Sequence, residues 1–127
     1  MHIFDIKKTD DIFPFVKAIE KYPMVSVIRL SGSFDFKTIP PIEDAVKRLK
    51  EHFDQNIILD FKDVTHIDTS TLAVLIYIMS KLKQQHKELY LININDTIGE
   101  QIRITRLESE IQVYNTLEDV LREIKKE

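Results

Sequence analysis

"IILDFKDVTHIDTSTLAVLI", residues 57–76, changes its hydrophobic pattern part-way through. Ile57-Ile58-Leu59 is an unbroken apolar run, which suits a central strand over Asn56–Phe61 buried on both faces. After Asp68 the apolar residues return at Leu72, Leu75, Ile76, Met79 and Leu82, the spacing of one helix face. A helix over Ser70–His86 would be about 25 Å long. Between strand and helix stand Asp68, Thr69, Ser70 and Thr71. A helix start needs one such oxygen to accept from its unpaired N–H groups, worth about 1 kcal/mol. Four polar residues together exceed that need. A helix N-terminus also attracts anions, and a phosphorylated hydroxyl there would gain about −1.5 to −2 charge. Such a phosphate can be held by free N–H groups, so it would alter what binds the turn and leave the fold intact.

Strands and helices alternate on both sides of this stretch. Downstream, the pattern predicts a strand at Glu88–Ile94, a helix at Asp96–Arg106, a strand at Ile111–Tyr114 and a helix at Thr116–Ile124. Thr116 and Asp119 form a capping pair for the last of these. Upstream, Pro40 and Pro41 suit the start of a helix over Thr38–Phe53, with Ile42, Ala45, Val46, Leu49 and Phe53 on one face. Val25–Leu30 alternates as a half-buried strand does, and Ser31-Gly32-Ser33 reads as a turn. Asp10–Lys21 reads as a short helix and His2–Ile6 as an edge strand. The expected fold is therefore α/β: one domain with a mixed sheet, substantial parallel pairing and packed helices. Residues 1–23 are expected to form an N-terminal strand and helical extension, and residues 24–127 the domain proper.

Composition narrows the function. The 127 residues are 43% hydrophobic and 31% charged, which suits a soluble globular chain with one core. No cysteine is present, so thiol chemistry and disulfides are excluded. The net charge of −3 comes from interspersed signs and gives no footprint for nucleic acid. The longest apolar run, Leu72–Met79, falls short of the ~20 residues of a membrane span. A cytoplasmic protein is expected, with no direct membrane insertion.

Catalysis has little to stand on. His2, His52, His66 and His86 lie in different elements without metal-ligand spacing, so no metal is expected. His66 borders the hydroxyl turn. Gly32 and Gly99 are isolated, so no phosphate-cradling loop or cofactor motif is present. Ser70 has Asp68 nearby but no nucleophile elbow. Asp10, Asp11 and Asp60 suggest a phosphate-accepting receiver, yet Tyr114-Asn115-Thr116 lacks the lysine such a site needs. The expectation is a binding protein, with no enzyme activity and no cofactor. Phe34 and Phe36 flank Asp35 and are candidate anchors for a partner.

Three stretches carry a resemblance to a known family. "VIRLSGSFD" (Val27–Asp35) resembles the second-strand motif of STAS domains, the family of bacterial anti-sigma factor antagonists. "IILDFKDVTHIDTSTL" (Ile57–Leu72) resembles its central signature, without gaps, and "NDTIGEQIRITRL" (Asn95–Leu107) resembles its later helix. The resemblance implies a protein that binds a kinase-type anti-sigma factor while unphosphorylated and so frees the sigma factor. The kinase then phosphorylates it, and a serine phosphatase restores the active form. Carried onto this chain, the acceptor is Ser70, with Thr69 and Thr71 as alternatives. Asp35, Asp68, Thr69, Thr71, Phe34 and Phe36, with the first turns of the long helix, would contribute to the docking face. Thr71 and Arg106 stand where the family has glycines. Other members of the family work without phosphorylation, beside anion transporters or in lipid-transport complexes. The alternative role is thus a constitutive scaffold or accessory subunit of such a transporter.

Overall fold

The structure, a computed structural model, describes residues 16–34, 54–106 and 110–125. Its elements run β1 (Val16–Lys21), β2 (Val25–Phe34), β3 (Asn56–Ile67), α1 (Thr69–Lys83), β4 (Leu89–Ile92), α2 (Asp96–Ile104), β5 (Gln112–Tyr114) and α3 (Leu117–Lys125). The five strands lie side by side in sequence order. β1 is antiparallel to β2, and the remaining neighbours are parallel. The expected α/β fold with a mixed sheet is present.

Side-chain alternation along the strands builds a core on each face. Ile28, Ile57, Leu59, Phe61, Leu89 and Leu91 pack with Leu72, Leu75, Ile78, Met79 and Leu82 of α1 and with Ile98 and Ile102 of α2. Val25, Val27, Ile58, Tyr90 and Ile92 turn the other way, onto Val120 and Ile124 of α3. β3 and β4 are thus buried on both sides, which is why Ile57-Ile58-Leu59 carries no polar residue. Each such side chain contributes about 1.5–3 kcal/mol by leaving water.

Three expectations need correction. Val16–Lys21 is a strand, where the sequence suggested the end of a helix. Val16 and Ile19, three residues apart, are both buried, and that spacing imitates a helix. A register shift between Val16 and Ala18 produces it: a β-bulge inserts a residue and brings both side chains to one face. Ser31-Gly32-Ser33 is also no turn, because β2 continues to Phe34. Gly32 takes φ 105 beside a second irregularity, a backbone state open to glycine. Finally, β3 does not stop at Phe61 but runs to Ile67. Its pairing with β2 slips between Arg29 and Ser31 and again between Gly32 and Ser33. Phe61, Val64 and Ile67 consequently all reach the core at three-residue spacing. The proposed strand at His2–Ile6, residues 10–15 of the proposed N-terminal helix and the helix at Thr38–Phe53 lie outside the described residues.

A polar clamp crosses three strands and reaches the end of β4 on the α3 side of the sheet. Arg29 Nε and Nη2 donate to the Glu20 carboxylate at 2.6 and 2.9 Å, and Nη1 donates to Asp60 Oδ2. Asp60, 3% exposed, also accepts at Oδ1 from Asn93 Nδ2 and from the Lys62 amide, each at 2.9 Å. A buried carboxylate is costly unless paired and hydrogen-bonded, and this one is both. The hydrogen-bonded guanidinium holds the Glu20 carboxyl below its ordinary value of 4.5, and Glu20 holds Arg29 more firmly protonated. Burial pushes the Tyr22 phenol up.

Candidate functional site

β3 delivers the chain to α1 through a single residue. Asp68 has extended backbone (φ −122, ψ −177), and its Oδ1 accepts from the amides of Ser70 at 3.0 Å and Thr71 at 3.3 Å. It is therefore the cap, and the three hydroxyls after it are not needed for capping. Helical geometry then gives each a different fate. Successive residues rotate by about 100° around the axis. Thr71 points inward, 2% exposed, and its Oγ1 donates to the Phe34 carbonyl at 3.4 Å. Ser70 lies on the flank, half-buried, and Thr69 is exposed.

Three of the sequence-derived site residues sit together at this turn: Asp68, Thr69 and Ser70. Thr71 belongs to the same turn but faces the core, which withholds its hydroxyl from an incoming protein. Phe34 is also a core residue, 4% exposed, because β2 continues through Gly32 and turns that ring under α1. It is no surface anchor. Asp35 and Phe36 lie outside the described residues. His66 is exposed on the strand leading to the turn.

The outward side of α1, whose first turns were expected in the docking face, exposes two large side chains that were not named for it. Ile76, expected in the buried stripe, is 40% exposed, and Tyr77 is 36% exposed. Val74 and Ile78 take the buried positions instead. Exposed Thr69, Ala73 and Ser80 complete a face on which residues 69–80 carry no formal charge. Lys81 closes it, its Nζ lying 5.5 Å from the Tyr77 ring centroid. The signal was in the sequence: a surface helix usually places charges opposite its core stripe, and the first twelve residues of this one have none. Among the described residues no group of His, Asp and Glu side chains could hold a metal ion, and no helix is long and apolar enough to cross a membrane.

The turn therefore sets the Thr69 and Ser70 hydroxyls next to an uncharged helix face. The STAS domain family model matches residues 17–120. The chain belongs to the STAS domain family. The anti-sigma-B factor antagonist of Staphylococcus aureus (strain NCTC 8325 / PS 47) is 26% identical over 86 residues, covering 68% of this chain and 80% of that protein. An anti-sigma factor antagonist from Mycobacterium paratuberculosis superposes with a TM-score of 0.73 at 21% identity, over 98% of this chain and 95% of its own. SpoIIAA, an anti-sigma factor antagonist, superposes in its unphosphorylated form with a TM-score of 0.68 at 19% identity, over 86% of this chain and 96% of its own. Its phosphorylated form gives a TM-score of 0.61 at 19% identity, over 84% and 96%. The STAS match begins within β1, so the antiparallel strand that the sequence reading took for a helix lies almost wholly inside the matched region.

Proposed function

We propose that this STAS protein is an anti-sigma factor antagonist that binds a kinase-type anti-sigma factor through the first turn and outward face of α1. Phosphorylation of that turn switches the binding off. The observation that carries the reading is the division of labour at the helix start: Asp68 alone caps it, leaving Thr69 and Ser70 with hydroxyls that the fold does not consume in capping. The sequence relatives named as anti-sigma-B factor antagonists support the partner class. The existence of SpoIIAA in unphosphorylated and phosphorylated forms supports the switch.

Thr69 and Ser70 are the two acceptors the geometry favours; Thr69 is the more exposed and Ser70 the one the family resemblance names. Thr71 is disfavoured by its burial. A phosphate here sits at the positive end of the helix, which tolerates it without unfolding. It also puts about two negative charges beside Asp68 and at the edge of an uncharged face. A partner surface that had buried Ile76 and Tyr77 would then meet charge that it must desolvate. The protein acts in this reading as a cytoplasmic binding module, and a serine phosphatase resets it.

Incubation with ATP and the purified kinase-type anti-sigma factor of the same organism, followed by peptide mass spectrometry, tests the reading. Phosphate on Thr69 or Ser70 is the expected result. A chain that takes no phosphate at residues 69–71 while binding the kinase would leave a constitutive binding module and remove the switch.

A further inference from the structure

The consecutive residues Thr69, Ser70 and Thr71 differ in what holds them, and Thr71 is tied both at its amide and at its hydroxyl. The Thr71 amide donates to the Asp68 carboxylate at 3.3 Å and to the Asp68 carbonyl at 3.1 Å. Its Oγ1 reaches across to the carbonyl of Phe34, 37 residues earlier in the chain. Phe34 is the last residue of β2 and pairs with Ile67, the last residue of β3. Thr71 therefore closes a loop of contacts: the end of β2 to the end of β3, through Asp68 into the first turn of α1, and back to the end of β2. Threonine in a helix divides between two χ1 rotamers, and the contact with the Phe34 carbonyl selects the one that turns the hydroxyl inward.

We propose that Thr71 is a positioning residue, a latch that fixes the first turn of α1 against the end of β2 and so keeps Thr69 and Ser70 turned outward for phosphorylation. This rests on the switch reading above, but the latch has a signature of its own. With the latch closed, rotation or fraying of the first turn must break a buried hydrogen bond and leave the Phe34 carbonyl without that donor. With it open, the turn frays as exposed helix ends do. Presentation of the acceptors then loses definition even though Thr69 and Ser70 themselves are unchanged.

The test compares wild type with Thr71→Val, which keeps the shape and removes the hydroxyl, and Thr71→Ser, which keeps the hydroxyl. Amide hydrogen exchange by NMR reads the turn in the isolated protein. Thr71→Val is expected to speed exchange of the Ser70, Thr71 and Leu72 amides about fivefold, the effect of one net hydrogen bond, while the amides of β3 and β4 stay within about twofold. Thr71→Ser should restore the wild-type rates. In parallel, kcat/KM for phosphorylation by the purified kinase-type anti-sigma factor with ATP should fall by a similar factor in Thr71→Val and recover in Thr71→Ser. Unchanged exchange at the turn in Thr71→Val overturns the latch. So does an equal rise over the whole sheet, which would mean a general loss of stability. A wild type that accepts no phosphate overturns the switch, and the exchange comparison still decides the latch.

Discussion

Arg106 and His86 hold left-handed backbone, at φ 61 and 60. Both follow helix ends. At the end of α1 the Lys87 amide donates to the Leu82 carbonyl at 2.9 Å and the His86 amide to the Lys83 carbonyl at 3.1 Å, a pattern that favours glycine at position 86. A residue with a Cβ loses roughly 1–2 kcal/mol there, partly offset by the extra freedom that glycine brings to the unfolded chain. Arg106→Gly should therefore raise stability by about 0.5–1 kcal/mol in urea unfolding, and Arg106→Ala should not. A gain from both, or from neither, would mean that the backbone at this position is not strained. Arg106 was legible as a place where the family has glycine, and its φ supplies the reason. Thr71, the other such place, has a different explanation, because its side chain is used. No sequence pattern distinguishes a hydroxyl that turns in from its two neighbours that turn out. That follows from the phase of α1, whose expected stripe is buried at Leu72, Leu75, Met79 and Leu82 and misplaced only at Ile76.

Strands show most clearly what a sequence can and cannot disclose. Ile57–Leu59 and Leu89–Ile92 are buried on both faces, and for the first of them the continuous apolar run disclosed it. β1 and the second half of β3 were lost because bulges replaced the two-residue period with three. A bulge depends on the partner strand, which no local window contains. The clamp was illegible for the same reason: Glu20, Arg29, Asp60 and Asn93 come from four strands or strand ends and meet only in the sheet. It has a measurable consequence. Because Arg29 lowers the Glu20 value in the folded chain, the ionised carboxylate favours folding at pH above 4.5. That contribution is lost as pH falls through the lowered folded value. Glu20→Gln should consequently be less stable than wild type at pH 7, with the gap narrowing below about pH 4.5 in urea titrations. A gap independent of pH would show that the Glu20–Arg29 pair does not act through charge.

At the scale of the molecule, the mixed sheet places a capped helix start at the exposed end of β3 and leaves one side of α1 uncharged. The central motif at Ile57–Leu72 was enough to indicate the family and the position of the turn. The surface around the turn required the fold, since only the packing of α1 shows which of its side chains face outward. In the proposed switch, phosphate at this turn weakens binding without disturbing the fold. Calorimetric titration of the purified kinase-type anti-sigma factor with the unphosphorylated and the phosphorylated protein tests this directly, with thermal unfolding of both forms as the companion reading. Phosphorylation is expected to raise Kd at least about tenfold, or roughly 1.4 kcal/mol, while stability stays within about 0.5 kcal/mol, as for a surface site. Equal affinities for the two forms, or a phosphorylated protein that has lost its fold, would contradict it.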